Sequence, residues 1–435
     1  MMERILEQAL KLAEQAEVFT ISSQETQAHF EANRLKQLQT KQQTTVALRV
    51  IKNGKTGYAT ATELGNSDEL VRNAAETAQF GTAAGFQMPS PVAYPEVEVF
   101  DPAVDSVPTE ATIGLGEEMI ATVTAHTPDI ICEAGVSRGT LSVRLLNSRG
   151  GQASYQKSFF SLELEGNLTR DTDMLFVGES ESSCHPLTGT KTVTDAVLWQ
   201  LELSRNQATA PGRTLPVVFT PNGVASSVIM PLMAAFNGKT VLEGASPIGN
   251  QLGKPVFDRK LCLWDDPTAA YRPGSRPCDD EGVPSQRTPL ITEGSVANFL
   301  YDLQTAALAK TQSTGNGSRS RGSLPAPSPS AFVIAPGDMT FAEMIEDMKE
   351  GLVIEQLMGA GQGNILGGDF SGNVLLGYKV ENGEIVGRVK NTMVFGNIYE
   401  LLKQITAIGS ETRWVGGFLQ TPPLYCPGLS VASKT

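Results

Sequence analysis

Two Asn-Gly pairs, each following a run of strand-forming residues, most constrain how this chain can fold. Asn53-Gly54 follows residues 45–51 and Asn382-Gly383 follows residues 374–381, and a second such run comes after each pair. An Asn-Gly pair favours the tight turn of a two-residue β-hairpin, because both residues tolerate a positive φ. Each half of the chain is therefore expected to contain antiparallel strands.

Helical spacing of apolar residues predicts helices at residues 3–17, 67–79, 109–125, 193–206, 339–349 and 397–405. The pattern predicts an α+β fold with a boundary near residue 215. Residues 1–215 are expected to form an α/β half with an antiparallel sheet and a long proline-rich connection near residues 89–108. Residues 216–435 are expected to form a β-rich domain that is barrel-like or sandwich-like.

Charge and cysteine usage exclude several function classes. A formal net charge of -13 argues against a nucleic-acid partner, which requires an excess of lysine and arginine. The longest apolar run, residues 228–236, contains Pro231 and is too short to cross a membrane. The N-terminus carries glutamates where a signal peptide would be apolar, and the five cysteines form no regular framework. We expect a cytoplasmic protein.

The densest set of charged and glycine residues lies between residues 279 and 331. Acidic residues there could hold a hard cation, or could simply form a solvated turn. Arg287, Arg319 and Arg321 could clamp a carboxylate, and glycines would let a backbone approach closely. With a similar loop near residue 370, these residues form a candidate substrate or partner cleft: Asp279, Asp280, Glu281, Arg287, Thr288, Gly315, Asn316, Gly317, Arg319, Phe370 and Ser371.

No catalytic or metal-binding residue can be assigned from motifs. The three histidines, His29, His126 and His185, are too far apart in sequence to share a helix face, so no HExxH-type zinc pair exists. Residues 244–248 fail the nucleophile-elbow pattern, because Ile248 stands where glycine is needed.

Four blocks, in order, resemble the TldD/PmbA family of metallopeptidase-related proteins. The blocks are the N-terminal helix with the Asn53-Gly54 hairpin; Asp279-Asp280-Glu281-Gly282 with Arg287-Thr288 and Leu300-Tyr301-Asp302; Thr314-Gly315-Asn316-Gly317; and Phe370-Ser371-Gly372 with Gly377-Tyr378, Glu381-Asn382-Gly383-Glu384-Ile385 and Val389-Lys390-Asn391. The resemblance spans nearly the whole chain.

The TldD branch of that family carries an HExxxH zinc helix and a later cysteine ligand. The corresponding stretch here, residues 224–236, contains neither histidine nor glutamate, and Cys426 lies beyond the expected cysteine. The chain therefore resembles the PmbA (TldE) branch. The resemblance implies a non-catalytic subunit without its own cofactor, a zinc-bearing TldD-type partner, and unfolded or extended peptides as substrates.

Three functional hypotheses stay open at this level. The first is the non-catalytic subunit, which could also form homodimers. The second is a stand-alone metal-dependent peptidase that uses residues 265–266 or 279–281, or distant histidines, as ligands. The third is a peptide-binding or chaperone-like module.

Overall fold

The computed structural model describes residues 1–62, 67–320 and 323–433. Its α-helices are α1 (Met2–Ala9), α2 (Ser67–Thr77), α3 (Ala103–Ser106), α4 (Thr109–His126), α5 (Lys191–Leu203), α6 (Pro221–Gly223), α7 (Ile229–Phe236), α8 (Gly238–Leu242), α9 (Leu303–Leu308), α10 (Phe341–Asp347) and α11 (Ile398–Leu401). A π-helix spans Val224–Val228 and a 3₁₀-helix spans Ala360–Gln362.

The strands are β1 (Gln15–Glu31), β2 (Arg34–Lys52), β3 (Lys55–Ala61), β4 (Ile131–Asn147), β5 (Gln152–Arg170), β6 (Asp173–Ser183), β7 (Gln207–Ala208), β8 (Thr214–Phe219), β9 (Leu263–Asp265), β10 (Thr288–Thr292), β11 (Ser295–Val296), β12 (Gly317–Ser318), β13 (Ala326–Pro327), β14 (Phe332–Ile334), β15 (Glu350–Met358), β16 (Asp369–Glu381), β17 (Glu384–Val389), β18 (Thr392–Asn397), β19 (Ala407–Ile408), β20 (Arg413–Val415), β21 (Leu419–Thr421) and β22 (Leu424–Ser433).

The first half of the chain forms a six-stranded antiparallel sheet in the order β3-β2-β1-β4-β5-β6. The hairpin predicted at Asn53-Gly54 is confirmed, because Lys52 pairs with Lys55 across it. Helices α4 and α5 cover one face of the sheet, where Met119, Phe160 and Val197 are buried in one core. Alternation along the strands produces this arrangement, since every second side chain faces the helices.

The first helix is shorter than the sequence predicted. It ends at Ala9, and residues from Gln15 onward pair with β2, beginning with Gln15 opposite Ile51. Ala16, which matched the helical spacing, is instead buried as a strand residue. The prediction failed because Ala16 satisfies both the helical period and the core face of the strand.

The second half contains a closed barrel. Strands β15, β8, β22, β18 and β16 pair in sequence, and β16 pairs back with β15 to close the ring. The hairpin at Asn382-Gly383 is confirmed by pairing of Glu381 with Glu384. The predicted α+β class is therefore confirmed, with an antiparallel sheet in the first half and a barrel in the second. The boundary near residue 215 stays a prediction.

The apolar run at residues 224–236 is helical throughout, although its first part is a π-helix. Thr220 caps the segment, because its Oγ1 accepts a hydrogen bond from the Gly223 amide at 3.2 Å. Pro231 has no amide hydrogen for the carbonyl four residues earlier, and a local widening of the helix accommodates that loss. Within the described ranges, no helix is long and apolar enough to cross a bilayer.

Candidate functional site

The acidic segment at residues 279–281 lies beneath the first sheet, where Asp279 and Glu281 are buried and Asp280 is half-buried. Arg49 donates through Nη2 to Glu17 Oε2 at 3.0 Å, and through Nη1 to Glu281 Oε1. Arg319 donates through Nη2 to the other oxygen of Glu17. These four side chains are each at most 2% exposed. We call them the buried network; it joins strands of the first half to loops of the second.

The buried network shifts the pKa values of its two arginines in opposite directions. Burial alone lowers the pKa of Arg49, but the carboxylates of Glu17 and Glu281 outweigh burial and leave it raised. For Arg319, burial outweighs the attraction of Glu17, and its pKa is lowered. Both guanidinium groups remain charged at neutral pH, since arginine titrates far above it.

Asp279 and Asn316 hold the surrounding loops together through hydrogen bonds. Asp279 Oδ1 accepts two backbone amides at 2.9 Å, and its Oδ2 accepts the Gly317 amide at 2.8 Å. Burial, reinforced by the charge of Glu281, raises the pKa of Asp279. Asn316 donates through Nδ2 to Asp265 Oδ2 at 2.7 Å. The acids and amides of this segment are therefore used to hold the chain's own backbone.

The glycines of the same segment allow close packing within the chain. A Cβ at Gly317 would lie 2.6 Å from Glu281 Oε2, a distance that real Cβ atoms do not show. Gly315 has a φ of +75°, which favours glycine. Close approach occurs here, but the group approached is a carboxylate of the buried network.

The remaining predicted cleft residues lie in different places. Asp280 Oδ2 accepts the backbone amide of Arg319 at 2.7 Å. Arg287 is exposed and lies 3.8 Å over the ring of Trp264, and Thr288 is buried at the start of β10. Phe370 and Ser371 lie in β16 of the barrel, the first buried and the second exposed. A cleft role for all these residues stays a prediction.

The proposed clamp Arg321 lies outside the described residues.

A cavity of about 520 Å³ opens where β4, β5 and β6 face the start of the helical segment 221–236 and the strand β15. Five carboxylates line it: Glu133, Glu163, Glu165, Glu179 and Glu355. We call this space the glutamate cavity. The alternation of the sheet explains the lining, because Glu133, Glu163 and Glu165 point to the face opposite the helices α4 and α5.

Three of these glutamates lie side by side on neighbouring strands. Glu133 and Glu165 lie directly opposite each other on β4 and β5. Among the described residues, no ion pair is formed by Glu133, Glu163 or Glu165. Burial raises the pKa of Glu165, and the charges of Glu163 and Glu133 raise it further. Like charges placed directly opposite in a sheet are destabilising, so this arrangement is held by the rest of the fold.

The other two glutamates are buried at the inner end of the cavity. Glu355 Oε1 accepts from Asn222 Nδ2 at 2.9 Å and from Gln200 Nε2 at 3.5 Å. Burial raises the pKa of Glu355, against hydrogen bonds that favour its charged form. Glu179 also accepts from Asn222, at 3.2 Å, and pairs with Arg413. Asn222 therefore links both acids to the beginning of the helical segment.

The helical segment presents amide, methyl and hydroxyl groups to the cavity, through Asn222, Ala225 and Ser226. Zinc in a peptidase is held by imidazole, thiolate and carboxylate groups. Over the part of the chain that is described, no group of three or more histidine, cysteine or acidic side chains could hold a metal ion. The side chains on this helix face do not fit a zinc ion.

Two of the three histidines, and Cys426, make contacts elsewhere. His126 contacts Glu202 at 2.6 Å, and His185 contacts Asp101 at 2.7 Å. Cys426 is buried in the barrel strand β22, where burial raises its pKa to about 12. The absence of metal ligands in this chain stays a prediction.

The sequence did not single out the glutamate cavity, although two signals were available. Glu163 and Glu165 are spaced by two within a strand, which places both on one face. Glu355 lies within the apolar strand β15, where an unpaired acid is unusual. Neither signal predicts that β5 and β15 lie opposite each other.

Comparison with known proteins gives the family. The model of the PmbA/TldA metallopeptidase C-terminal domain matches residues 211–433, and that of the PmbA/TldA metallopeptidase domain 1 matches residues 16–78. The chain belongs to the PmbA/TldD metallopeptidase family.

Several relatives are similar over much of the chain. The uncharacterized protein MJ0231 of Methanocaldococcus jannaschii is 26% identical over 92% of this chain and 93% of its own length. The metalloprotease PmbA of Escherichia coli O157:H7 is 28% identical, over 50% of this chain and 46% of that protein.

Solved structures share the fold. TldE from Thermococcus kodakarensis has a TM-score of 0.89 at 21% identity, over 99% of this chain and 100% of that one. A protein from Thermotoga maritima described as a putative modulator of a DNA gyrase also has a TM-score of 0.89, at 22% identity, with the same coverage.

Proposed function

We propose that this chain is a non-catalytic subunit of a heteromeric, cytoplasmic metallopeptidase that acts on unfolded or extended peptides. In this proposal it belongs to the PmbA (TldE) branch and pairs with a TldD-type subunit, which carries the zinc. The chain supplies part of the chamber wall around the peptide, and the glutamate cavity is that part.

One observation carries the proposal. The helix that faces the cavity in this chain presents Asn222, Ala225 and Ser226, none of which can activate a zinc-bound water. A helix face of these residue types within a metallopeptidase fold supports a role in binding substrate rather than cleaving it.

The shape of the cleft supports a peptide as its occupant. Long strands and an open cavity of about 520 Å³ suit a chain that lies extended, because extended peptides bind proteins by adding to strands. Five free cysteine thiols are consistent with a reducing compartment.

The first experiment separates the subunits. The chain is purified alone and together with a TldD-type subunit, and zinc content and hydrolysis of an unstructured peptide are measured for each. We expect stoichiometric zinc and hydrolysis from the complex only. Hydrolysis with bound zinc in the isolated chain would instead support a stand-alone peptidase. Peptide binding without hydrolysis in either sample would support the binding-module alternative.

A second experiment tests the cavity within the complex. Ser226→Trp should fill the cavity and lower hydrolysis at least tenfold, without changing zinc content or assembly. Met230→Trp on the same helical segment is the matched control, because Met230 is 48% exposed and does not line the cavity. Equal activity of the two variants would count against a role for this cavity in the chamber.

A further inference from the structure

A second, smaller cavity lies beside the glutamate cavity. It has a volume of about 290 Å³ and is formed by α5, α10, the start of the helical segment at 221–236 and the loop between β19 and β20. Gln200 and Glu355 line both spaces, so the two cavities adjoin. We call the smaller one the tryptophan pocket, because Trp199 lines it and is 40% exposed. Its volume suits a single side chain rather than a length of peptide.

One wall of the tryptophan pocket is aromatic. The indole of Trp199 packs edge to face with the rings of Phe341 and Tyr378, at centroid distances of 6.0 and 5.9 Å. These two contacts hold the indole in place while part of its surface stays open to the pocket. Pro221 and Pro423 add further apolar surface. An aromatic ring presented in this way attracts a cation, because the face of the ring carries partial negative charge.

The charged groups that line the pocket are two carboxylates and one guanidinium. Arg413 pairs with Glu179 of the adjoining glutamate cavity, so its charge is already matched. Glu411 is exposed and, among the described residues, pairs with no cation. Glu355 is 4% exposed, and the amides that donate hydrogen bonds to it carry no charge. The pocket therefore combines an aromatic surface with negative charge.

We propose that the tryptophan pocket binds a lysine or arginine side chain of the peptide that lies in the glutamate cavity, which makes peptides with basic residues the preferred substrates. This inference rests on the proposed function, since that function supplies the peptide. The aliphatic stem of the basic side chain packs against Trp199, and its cationic end lies near Glu411 and Glu355. The carboxylates of the adjoining cavity extend the same sign of charge and favour a basic peptide along its length.

Other side chains use only part of this surface. An aromatic or aliphatic side chain would contact Trp199 but would leave Glu411 without a cation. An acidic side chain would face two carboxylates and be repelled. Only a side chain with an apolar stem and a positive end matches both the aromatic wall and the acids.

Binding of matched peptides to the isolated chain tests the preference. Three unstructured, fluorescently labelled peptides differ at one central position, which is lysine, norleucine or glutamate. Norleucine keeps the apolar stem and lacks the charge. By fluorescence anisotropy, we expect the lysine peptide to bind about fivefold more tightly than the norleucine peptide. The glutamate peptide should bind more weakly than either.

Substitutions test whether the lysine lies in the tryptophan pocket rather than in the glutamate cavity. Glu411→Gln should reduce the preference for lysine over norleucine about threefold, because an exposed carboxylate contributes modestly to an ion pair. Glu7→Gln is the matched control, since it removes the same charge from an exposed position on α1 that does not line the pocket. Trp199→Leu should also reduce the preference, whereas Trp199→Phe keeps an aromatic face and should retain most of it.

Equal or undetectable binding of the lysine and norleucine peptides would overturn the inference, as would equal effects of Glu411→Gln and Glu7→Gln. Hydrolysis of the norleucine peptide by the complex with a TldD-type subunit is measured separately. If the complex hydrolyses that peptide but the chain shows no preference for lysine, the inference fails and the proposed function stands. A preference for lysine without hydrolysis by the complex would count against the proposed function alone.

Discussion

The buried network and the glutamate cavity are both rich in carboxylates, but the two regions treat charge in opposite ways. In the buried network, Glu17 and Glu281 each contact an arginine, and side chains there are at most 2% exposed. In the cavity, Glu133 and Glu165 oppose each other without an ion pair among the described residues. The comparison teaches that charges of both signs mark the internal framework here, whereas charges of one sign mark the open cavity.

The largest expected effect breaks the buried network. Arg49→Met leaves Glu17 and Glu281 buried without their shared cation, and removing one partner of a buried ion pair costs about 3–5 kcal/mol. Denaturant unfolding followed by circular dichroism measures the loss. Arg259→Met is the matched control, because Arg259 is 87% exposed and its loss should change stability by less than about 0.5 kcal/mol. Similar losses in both variants would contradict a framework role.

A smaller effect tests how tightly the loops close around the network. Gly317→Ala places a methyl group against Glu281, which Arg49 holds in position, and overpacking of this kind costs about 1–3 kcal/mol. Gly114→Ala, in α4, meets no atom within 4 Å and should stabilise the chain by about 0.5–1 kcal/mol. Thermal unfolding of both variants should therefore shift in opposite directions.

A pH-dependent effect sharpens the description of the cavity. Because the pKa of Glu355 is raised in the folded chain, the unfolded chain releases that proton first as pH rises. Glu355 therefore lowers the stability of the folded chain at pH values above the ordinary glutamate pKa. The loss is about 1.4 kcal/mol for each tenfold increase in the proton affinity of Glu355 on folding. Glu355→Gln should become progressively more stable than the parent as pH rises from 4. A pH-independent difference in unfolding free energy would contradict this interpretation.

The smallest effect concerns the opposed acids. Glu133→Gln removes one like charge facing Glu165 and should stabilise the chain by roughly 0.2–1 kcal/mol. The gain should shrink in 1 M salt, where exposed charges are screened over about 3 Å. Urea unfolding at low and high salt checks both statements. A gain that is insensitive to salt would have to come from packing instead.

Prediction from sequence succeeded where a local rule was decisive. Both Asn-Gly turns formed the expected hairpins, because two adjacent residues that tolerate a positive φ leave few other options. The α+β class followed from the same alternation. Prediction failed at Ala16, where helix and strand periods coincide, and only pairing with β2 decides between them.

The candidate site shows the same division. Asp279, Glu281 and Arg319 formed a plausible cleft in the sequence because they are close together and polar. In the structure they are buried: Arg49 pairs with Glu281 and Glu17 pairs with Arg319, both from distant strands, and Asp279 accepts backbone amides. Sequence spacing cannot show which charges will meet a partner contributed by another part of the chain.

The sequence by itself determined the hairpins, the family and the residue types on the helix at 221–236. These depend on neighbouring residues, whose physical preferences act locally. Only the tertiary structure decided that one set of acids is neutralised inside and another faces a cavity. The physical reason is that the free-energy cost of burying a charged group depends on the groups around it. The groups around Glu281 and Glu165 come from segments far away in sequence.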